Sequence, residues 1–315
     1  MDTRIPAERR AGAPTPVVFI GGLGRSGSTL LELLLTGVPG MVPVGEVRHL
    51  WARGLRDDDR CACGAPFSAC PFWASVGDHS FGGWASVDAD RTIALARRVD
   101  RHRQLLSTVP AWRERSHALR CYGEMLERLF AGILAVSGGE VVVDSSKDPP
   151  HGFVLGRTPG IDLRVVHLVR DSRGVADSWA KTVSRPDAVG GPAMMTRLAP
   201  WRTAMMWVDT NLLVEALGRG RRSLRLRYED VATRPDEAVR RVGALAGLAA
   251  PGEIDPQRRE HHAIGGNPVR FHRAPLDVSL DDRWRATMAT ADRRVVTALT
   301  AALLRRYGYR LRSTG

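Results

Sequence analysis

Four apolar, β-branched runs punctuate the chain: PVVFIGG from Pro16, EVVVDSS from Glu140, LRVVHLVRD from Leu163 and SLRLRYED from Ser223. Apart from the last, in which arginine alternates with leucine, these runs lack polar alternation, as expected of parallel strands buried on both faces. Each is followed by a turn signal and then by helical periodicity. The pattern predicts a doubly wound, mainly parallel α/β sheet with flanking helices. The first run passes through glycines into TLLELLL, a helix expected to end near Gly37, and the third leads into the helix VADSWAK. Two more helices are predicted over 192–217 and 291–307. Between Glu46 and Val141 lies an insert that is rich in tryptophan and glycine at first and amphipathic from about Asp88. Residues 1–15 read as a flexible arm and 16–315 as a single domain, with 47–140 as a mostly helical insert.

Composition narrows the class. With 315 residues, 43% hydrophobic and 25% charged, the chain has the makeup of a globular protein with a sizeable core. No apolar run approaches a membrane span, and the polar start MDTRIPAERRAGAPTP carries no signal core, so a cytoplasmic location is expected. The net charge of +12 raises nucleic acid as a partner. The arginines are scattered without aromatic interleaving, however, which is the mark of a compositional bias and argues against a nucleic-acid groove. Only Lys147 and Lys181 are lysine, so these two stand out in an arginine-writing chain.

Four cysteines do not make a secreted disulfide framework at this length. Cys61, Cys63 and Cys70 cluster in RCACGAPFSACPFW, and Cys121 stands apart. Packed free thiols, a local disulfide and a zinc site are the three readings. The zinc site would need a fourth ligand, with His79 or His49 available, and the spacing of the cysteines assigns no metal.

The chemistry concentrates in VVFIGGLGRSGSTLLELLL. Gly22 and Gly27 have the spacing of a nucleotide-binding loop, but Ser28 stands where that motif has lysine. Glycines there let backbone N–H groups and a helix N-terminus hold an anion, and Arg25 is the nearest charge. In VVHLVRDSRGVADSWAK, Arg170 ends a strand and Ser178 lies on the next helix. The two can bind a second phosphate; alternatively, Arg170 forms an ion pair with Asp171 or Asp177.

Together these two segments resemble the cofactor motifs of sulfotransferases that use 3′-phosphoadenosine 5′-phosphosulfate (PAPS). The resemblance implies that Gly24, Arg25, Ser26, Gly27, Ser28 and Thr29 hold the phosphosulfate, while Arg170 and Ser178 hold the 3′-phosphate. VDSSKDP is similar to the protein-tyrosine branch, which would make Lys147 the transition-state cation. The glutamate of VGEVRHL, also found in the protein-tyrosine and trehalose-lipid branches, implies Glu46 as the catalytic base. LRLRYEDV resembles the strand that brings a tyrosine, here Tyr228, near the adenine. HHAIGGNPVRF resembles a bacterial segment that closes over the nucleotide, implying Asn267, Arg270 and Phe271. The implied activity is O-sulfation of a small-molecule (a secondary metabolite included), carbohydrate or lipid hydroxyl, without a catalytic metal, and the insert would be the acceptor cap. Trp51, Trp73 and Trp84 offer it apolar contact.

Plain alternatives accompany these roles. Glu46 can pair with Arg48, Lys147 with Asp148, and Tyr228 can simply cover the core. His167 reads as a packed core residue. Asp144, at the end of VVVD, would hold Mg²⁺ if the chain were instead a P-loop kinase or nucleotide hydrolase.

Overall fold

Residues 13–100, 112–182, 194, 196–248, 261–271 and 278–311 are described by a computed structural model. The strands are β1 (Thr15–Gly21), β2 (Met41–Pro43), β3 (Val141–Lys147), β4 (Ile161–Val169) and β5 (Ser223–Arg227). They pair in the order β2-β3-β1-β4-β5, every neighbouring pair parallel. The expected arm over 1–15 gives up its last residue to the sheet, because β1 begins at Thr15. Residues 1–12 lie outside the described residues.

The missing polar alternation in the first run has a direct cause. Val17, Val18, Phe19 and Ile20 are all 0% exposed. Val17 and Phe19 enter one core with Trp51, Trp73 and Phe130 of the insert, whereas Val18 and Ile20 enter another with Leu31, Leu35 and Val239. Successive strand side chains point to opposite faces, so a strand covered on both must be apolar at every position. β5, at the sheet edge, alternates arginine with leucine, and only Leu226 of its five residues is fully buried. At the other edge, β2 was not expected from the sequence. Three residues ending in Pro43 give too short a pattern, and proline is tolerated there because no further strand needs its N–H.

The helices are α1 (Ser28–Thr36), α2 (Pro71–Phe81), α3 (Ala89–Val99), α4 (Trp112–Ser137), α5 (Pro149–Leu155), α6 (Ser172–Ala180), α7 (Pro200–Gly218), α8 (Tyr228–Thr233), α9 (Pro235–Leu245), α10 (Trp284–Thr287) and α11 (Thr290–Arg306). The helix expected over 192–217 begins only at Pro200, a residue suited to the first turn because its missing N–H is not needed there. Among the described residues, no helix is long and apolar enough to cross a membrane.

One buried polar link ties the sheet to the insert and to α5. Asp144 of β3 is 0% exposed. Its Oδ1 accepts from the backbone N–H groups of Ser146 at 2.9 Å and Val47 at 3.4 Å, and also from the Ser146 hydroxyl. Its Oδ2 lies 3.0 Å from His151 Nε2. Burial pushes the His151 imidazole down, but the hydrogen bond and charge of Asp144 outweigh it, and the net shift is upward. Asp144→Ala should lower stability by about 3–5 kcal/mol in urea titration, since it strands a buried partner. Because the folded value of His151 lies above its unfolded one, this contribution is full below about pH 6.5 and fades as pH rises through the folded value. The deficit of the variant should therefore shrink at alkaline pH; a pH-independent deficit would mean a neutral pair.

Candidate active site

β1 ends where the chain must turn sharply. Gly27, the N-cap of α1, has φ +91°, and a Cβ there would lie 2.4 Å from Tyr228 Cδ2. Only glycine fits both the conformation and the approach of that ring. Among the described residues, the backbone N–H groups of Ser26 to Thr29 donate to no backbone carbonyl, and the buried Ser26 Oγ has no hydrogen-bond partner. The loop thus presents unsatisfied donors at a helix N-terminus, the arrangement that holds an anion. Arg25 adopts φ +74°. Its guanidinium lies over the Trp179 ring, 5.5 Å from the centroid, and the Trp179 indole donates to Gly24 O at 2.9 Å. Burial lowers the Arg25 pKa.

Beside the loop, β3 delivers Lys147. Its Nζ donates to Glu46 Oε1 at 2.5 Å and to Ser145 O at 3.0 Å. Lys147 also has a left-handed backbone, φ +68°; only Arg25, Asp58 and Lys147 do so among the described non-glycine residues. Such strain costs about 1–3 kcal/mol per residue and collects at functional sites. Glu46 follows β2 and is held by its own N–H, which donates to Ile264 O at 2.7 Å. Burial alone would raise the Glu46 pKa, but the field of Lys147, with His49 and Arg53 behind it, brings it below the ordinary carboxylate value. A Cβ on Gly266 would lie 3.5 Å from Glu46 Oε1 and 3.7 Å from Thr29 Oγ1, so carboxylate and loop hydroxyl flank the same glycine.

Across the loop, Arg170 Nη1 donates to Arg25 O at 3.1 Å, and Nη2 to Asp281 O at 2.7 Å. Its guanidinium covers the Tyr228 ring at 4.4 Å, and the Tyr228 hydroxyl accepts from Asp281 N–H at 3.0 Å. Ser178 is half-buried on α6. Asn267 N–H donates to Thr29 Oγ1 at 3.4 Å, and Arg270 donates to Gly266 O at 3.0 Å while lying over Phe271. The structure thus gathers Arg25, Gly27, Arg170 and Tyr228 on one side of the loop, and Thr29, Glu46, Lys147 and Asn267 on the other.

Several alternatives from the sequence are decided here. Arg48 pairs with Asp100 and Asp148 and leaves Glu46 to Lys147. Asp171 pairs with Arg173, and Asp177 with Lys181, whereas the acid of Arg170 is Asp281. His167 is a core residue, bonded to Asn211 at 2.7 Å and pushed down to about 4 by burial. Both Asp144 oxygens are taken up within the fold. Trp51 and Trp73, expected to face an acceptor, are 1% and 0% exposed and belong to the core.

Two features escaped the sequence reading. Glu32 of α1 is buried, receives the Ser145 hydroxyl on Oε2 at 2.7 Å, and is pushed up to about 7 by desolvation. Its signal was present: one acid in the apolar run TLLELLL. The turn of π-helix at Leu50–Arg56 brings Arg53 to within the field of Glu46, and such turns concentrate at functional sites.

Residues 16–252 match the model of the sulfotransferase family. The chain belongs to the sulfotransferase family. As a sulfotransferase-family chain it is 25% identical over 170 residues to carbohydrate sulfotransferase 3 of Mus musculus, and 26% over 172 to that of Homo sapiens. Each match spans 50% of this chain and only 36% of the relative's length. The sulfotransferase domain of the Synechococcus PCC 7002 olefin synthase superposes with TM-score 0.56 at 20% identity, covering 95% of this chain and 97% of that one. The sulfotransferase domain from the curacin biosynthetic pathway gives 0.50 at 16%, covering 95% and 99%. At these identities the likeness is one of fold.

Glu32 gives this sulfotransferase-family chain a pH signature. An acid whose folded value, about 7, exceeds its unfolded one costs stability as pH rises between the two. Glu32→Gln should therefore gain stability relative to the parent between pH 5 and 8, by about 2–3 kcal/mol. Melting curves at the two pH values test this, and parallel curves would refute it.

Proposed function

We propose that the chain is a PAPS-dependent sulfotransferase that acts on a hydroxyl acceptor, with Glu46 as base. The observation that carries this reading is the Glu46–Lys147 pair, which faces Thr29 of the anion-ready loop across Gly266. The donor fits on two counts: the orphaned Ser26 Oγ and the unspent amides suit a phosphosulfate, and the cleft-side guanidinium of Arg170 with Ser178 suits a second phosphate. Tyr228, already stacked under Arg170, would border the adenine, and Asn267, Arg270 and Phe271 would close over it.

When bound, PAPS supplies a sulfuryl group attached to a phosphate that must leave with its charge. Glu46, ionised because Lys147 lies 2.5 Å away, accepts the proton of the attacking hydroxyl at a carboxylate oxygen. Once Glu46 is neutral, the Lys147 ammonium loses its partner and becomes available to the leaving oxygen. Arg25 and the loop amides add fixed positive potential. Residues 47–140 serve as the acceptor cap, and a carbohydrate hydroxyl is the favoured acceptor because the curated relatives are carbohydrate sulfotransferases. Cysteines that form no disulfide among the described residues suit a cytoplasmic location. A kinase-like reading is not favoured, because Asp144 lies in the middle of β3, buried and already hydrogen-bonded through both oxygens.

The product nucleotide 3′,5′-phosphoadenosine should raise the melting temperature well above the shifts given by ATP or AMP; equal shifts would overturn the donor assignment. Glu46→Gln should bind that nucleotide with unchanged affinity yet turn over about 10²–10⁴ times more slowly. Sulfation of a carbohydrate panel with labelled PAPS, with no Mg²⁺ added, reads both the acceptor class and the metal dependence. Absolute dependence on added Mg²⁺ would count against the proposed mechanism.

A further inference from the structure

We infer that Cys61, Cys63, Cys70 and His262 form a structural zinc site that fastens the wall of the active site to the insert. The four ligand atoms all lie within 4.8 Å of one another. Cys63 Sγ and Cys61 Sγ are each 3.7 Å from Cys70 Sγ, and His262 Nδ1 is 3.7 Å from Cys61 Sγ and 3.3 Å from Cys70 Sγ. Tetrahedral zinc with Zn–S near 2.3 Å separates its sulfur ligands by about 3.8 Å and sulfur from nitrogen by slightly less. The four closest edges, 3.3–3.7 Å, are near those of that tetrahedron, and the other two lie within 4.8 Å. A disulfide would join two of the thiols and leave the third, with the imidazole aimed at the same point, without a purpose. Three thiolates and an imidazole are a soft donor set that selects zinc over magnesium or calcium.

The surroundings hold each ligand in place. Cys61 and Cys63 sit in a tight turn, in which Gly64 N–H donates to Cys61 O at 2.8 Å and Cys61 N–H to Ala65 O at 2.9 Å. Cys70 precedes α2 and is 0% exposed, as is Cys61. The His262 ring stacks on Phe72 at 4.6 Å with 9° between planes, and its carbonyl accepts from the Trp73 indole at 2.9 Å. Ring and backbone are thus both fixed, as supporting contacts around metal-bound histidines usually are. The fourth ligand is neither His79 nor His49. It is His262, some two hundred positions away in the chain, beyond the reach of spacing rules.

The consequence lies in what His262 carries. Next to it, Ala263 O accepts from Ala62 N–H at 3.1 Å, and Ile264 exchanges backbone bonds with Val44 and Glu46. Gly266 and Asn267 then reach Glu46 and Thr29. Zinc at the cysteine cluster would fasten the segment 261–271 to residues 61–70, keeping the wall beside Glu46 in register. Its role is separate from sulfuryl transfer, and its test does not depend on that reaction.

Full-length protein purified under reducing conditions should contain one zinc per chain by elemental analysis. X-ray absorption should find three sulfurs near 2.3 Å and one nitrogen near 2.0–2.1 Å. Cys70→Ser and His262→Ala should lose the metal, whereas His262→Cys and Cys121→Ser should keep it. Metal-free protein should take zinc up stoichiometrically and gain thermal stability on doing so. The inference is overturned if reduced wild-type protein binds no zinc when Zn²⁺ is supplied, if its absorption spectrum lacks sulfur ligands, or if both ligand variants retain the metal.

Discussion

The ion pair between Lys147 and Glu46 is the interaction on which the charge states at the end of β3 depend. β3 reaches it by ending in a left-handed residue, which turns the lysine toward the carboxylate that follows β2. Two parallel strands in register therefore set the separation of a cation and an anion, and that separation sets the proton affinities nearby. Glu46 stays charged because the ammonium is so close. Glu32, one shell further in and without an ammonium hydrogen-bonded to it, is driven the other way by burial. Two glutamates in one pocket thus have opposite tendencies, and the difference comes from geometry alone.

The sheet was readable because β1 and the apolar runs of β3 and β4 are buried on both faces. β2 was not, since three residues carry no period. The loop and Arg170 stood in contiguous motifs whose chemistry could be argued locally, and Glu46, Lys147 and Tyr228 stood in segments marked by a family resemblance. Asp281 and His262 could not be found that way. Their neighbours Arg170, Tyr228 and Cys70 are distant in the chain, and only the fold brings them together. The tryptophans misled for the opposite reason. Composition marked Trp51 and Trp73 as available aromatic surface, whereas the insert needed them for its own core, where their indole N–H groups reach Tyr122 and His262.

Some of the positive charge is tied down by ion pairs and carbonyls within the fold. Arg173 is held by Asp171 and by the carbonyls of Arg310 and Leu311, tying α6 to the C-terminal segment. Arg48 spans Asp100 and Asp148, and Arg164 serves Asp162 and the Ala246 carbonyl. Arginine suits such duty, because one planar fork can satisfy a carboxylate and a carbonyl together.

Asp281 completes this picture from the other end. Its carboxylate is pushed down to about 2, first by Arg283 and then by Arg170, so it is charged at any physiological pH. An anion arriving at Arg170 therefore meets a guanidinium that already has an internal counter-ion. Under the proposed donor assignment, a phosphate at Arg170 would exchange one negative partner for another rather than simply add to the site. The affinity such a phosphate gained at Arg170 would be the difference between two ion pairs. A site so built would discriminate by fit more than by charge, favouring a ligand whose phosphate can outcompete a tethered carboxylate over any small anion in solution.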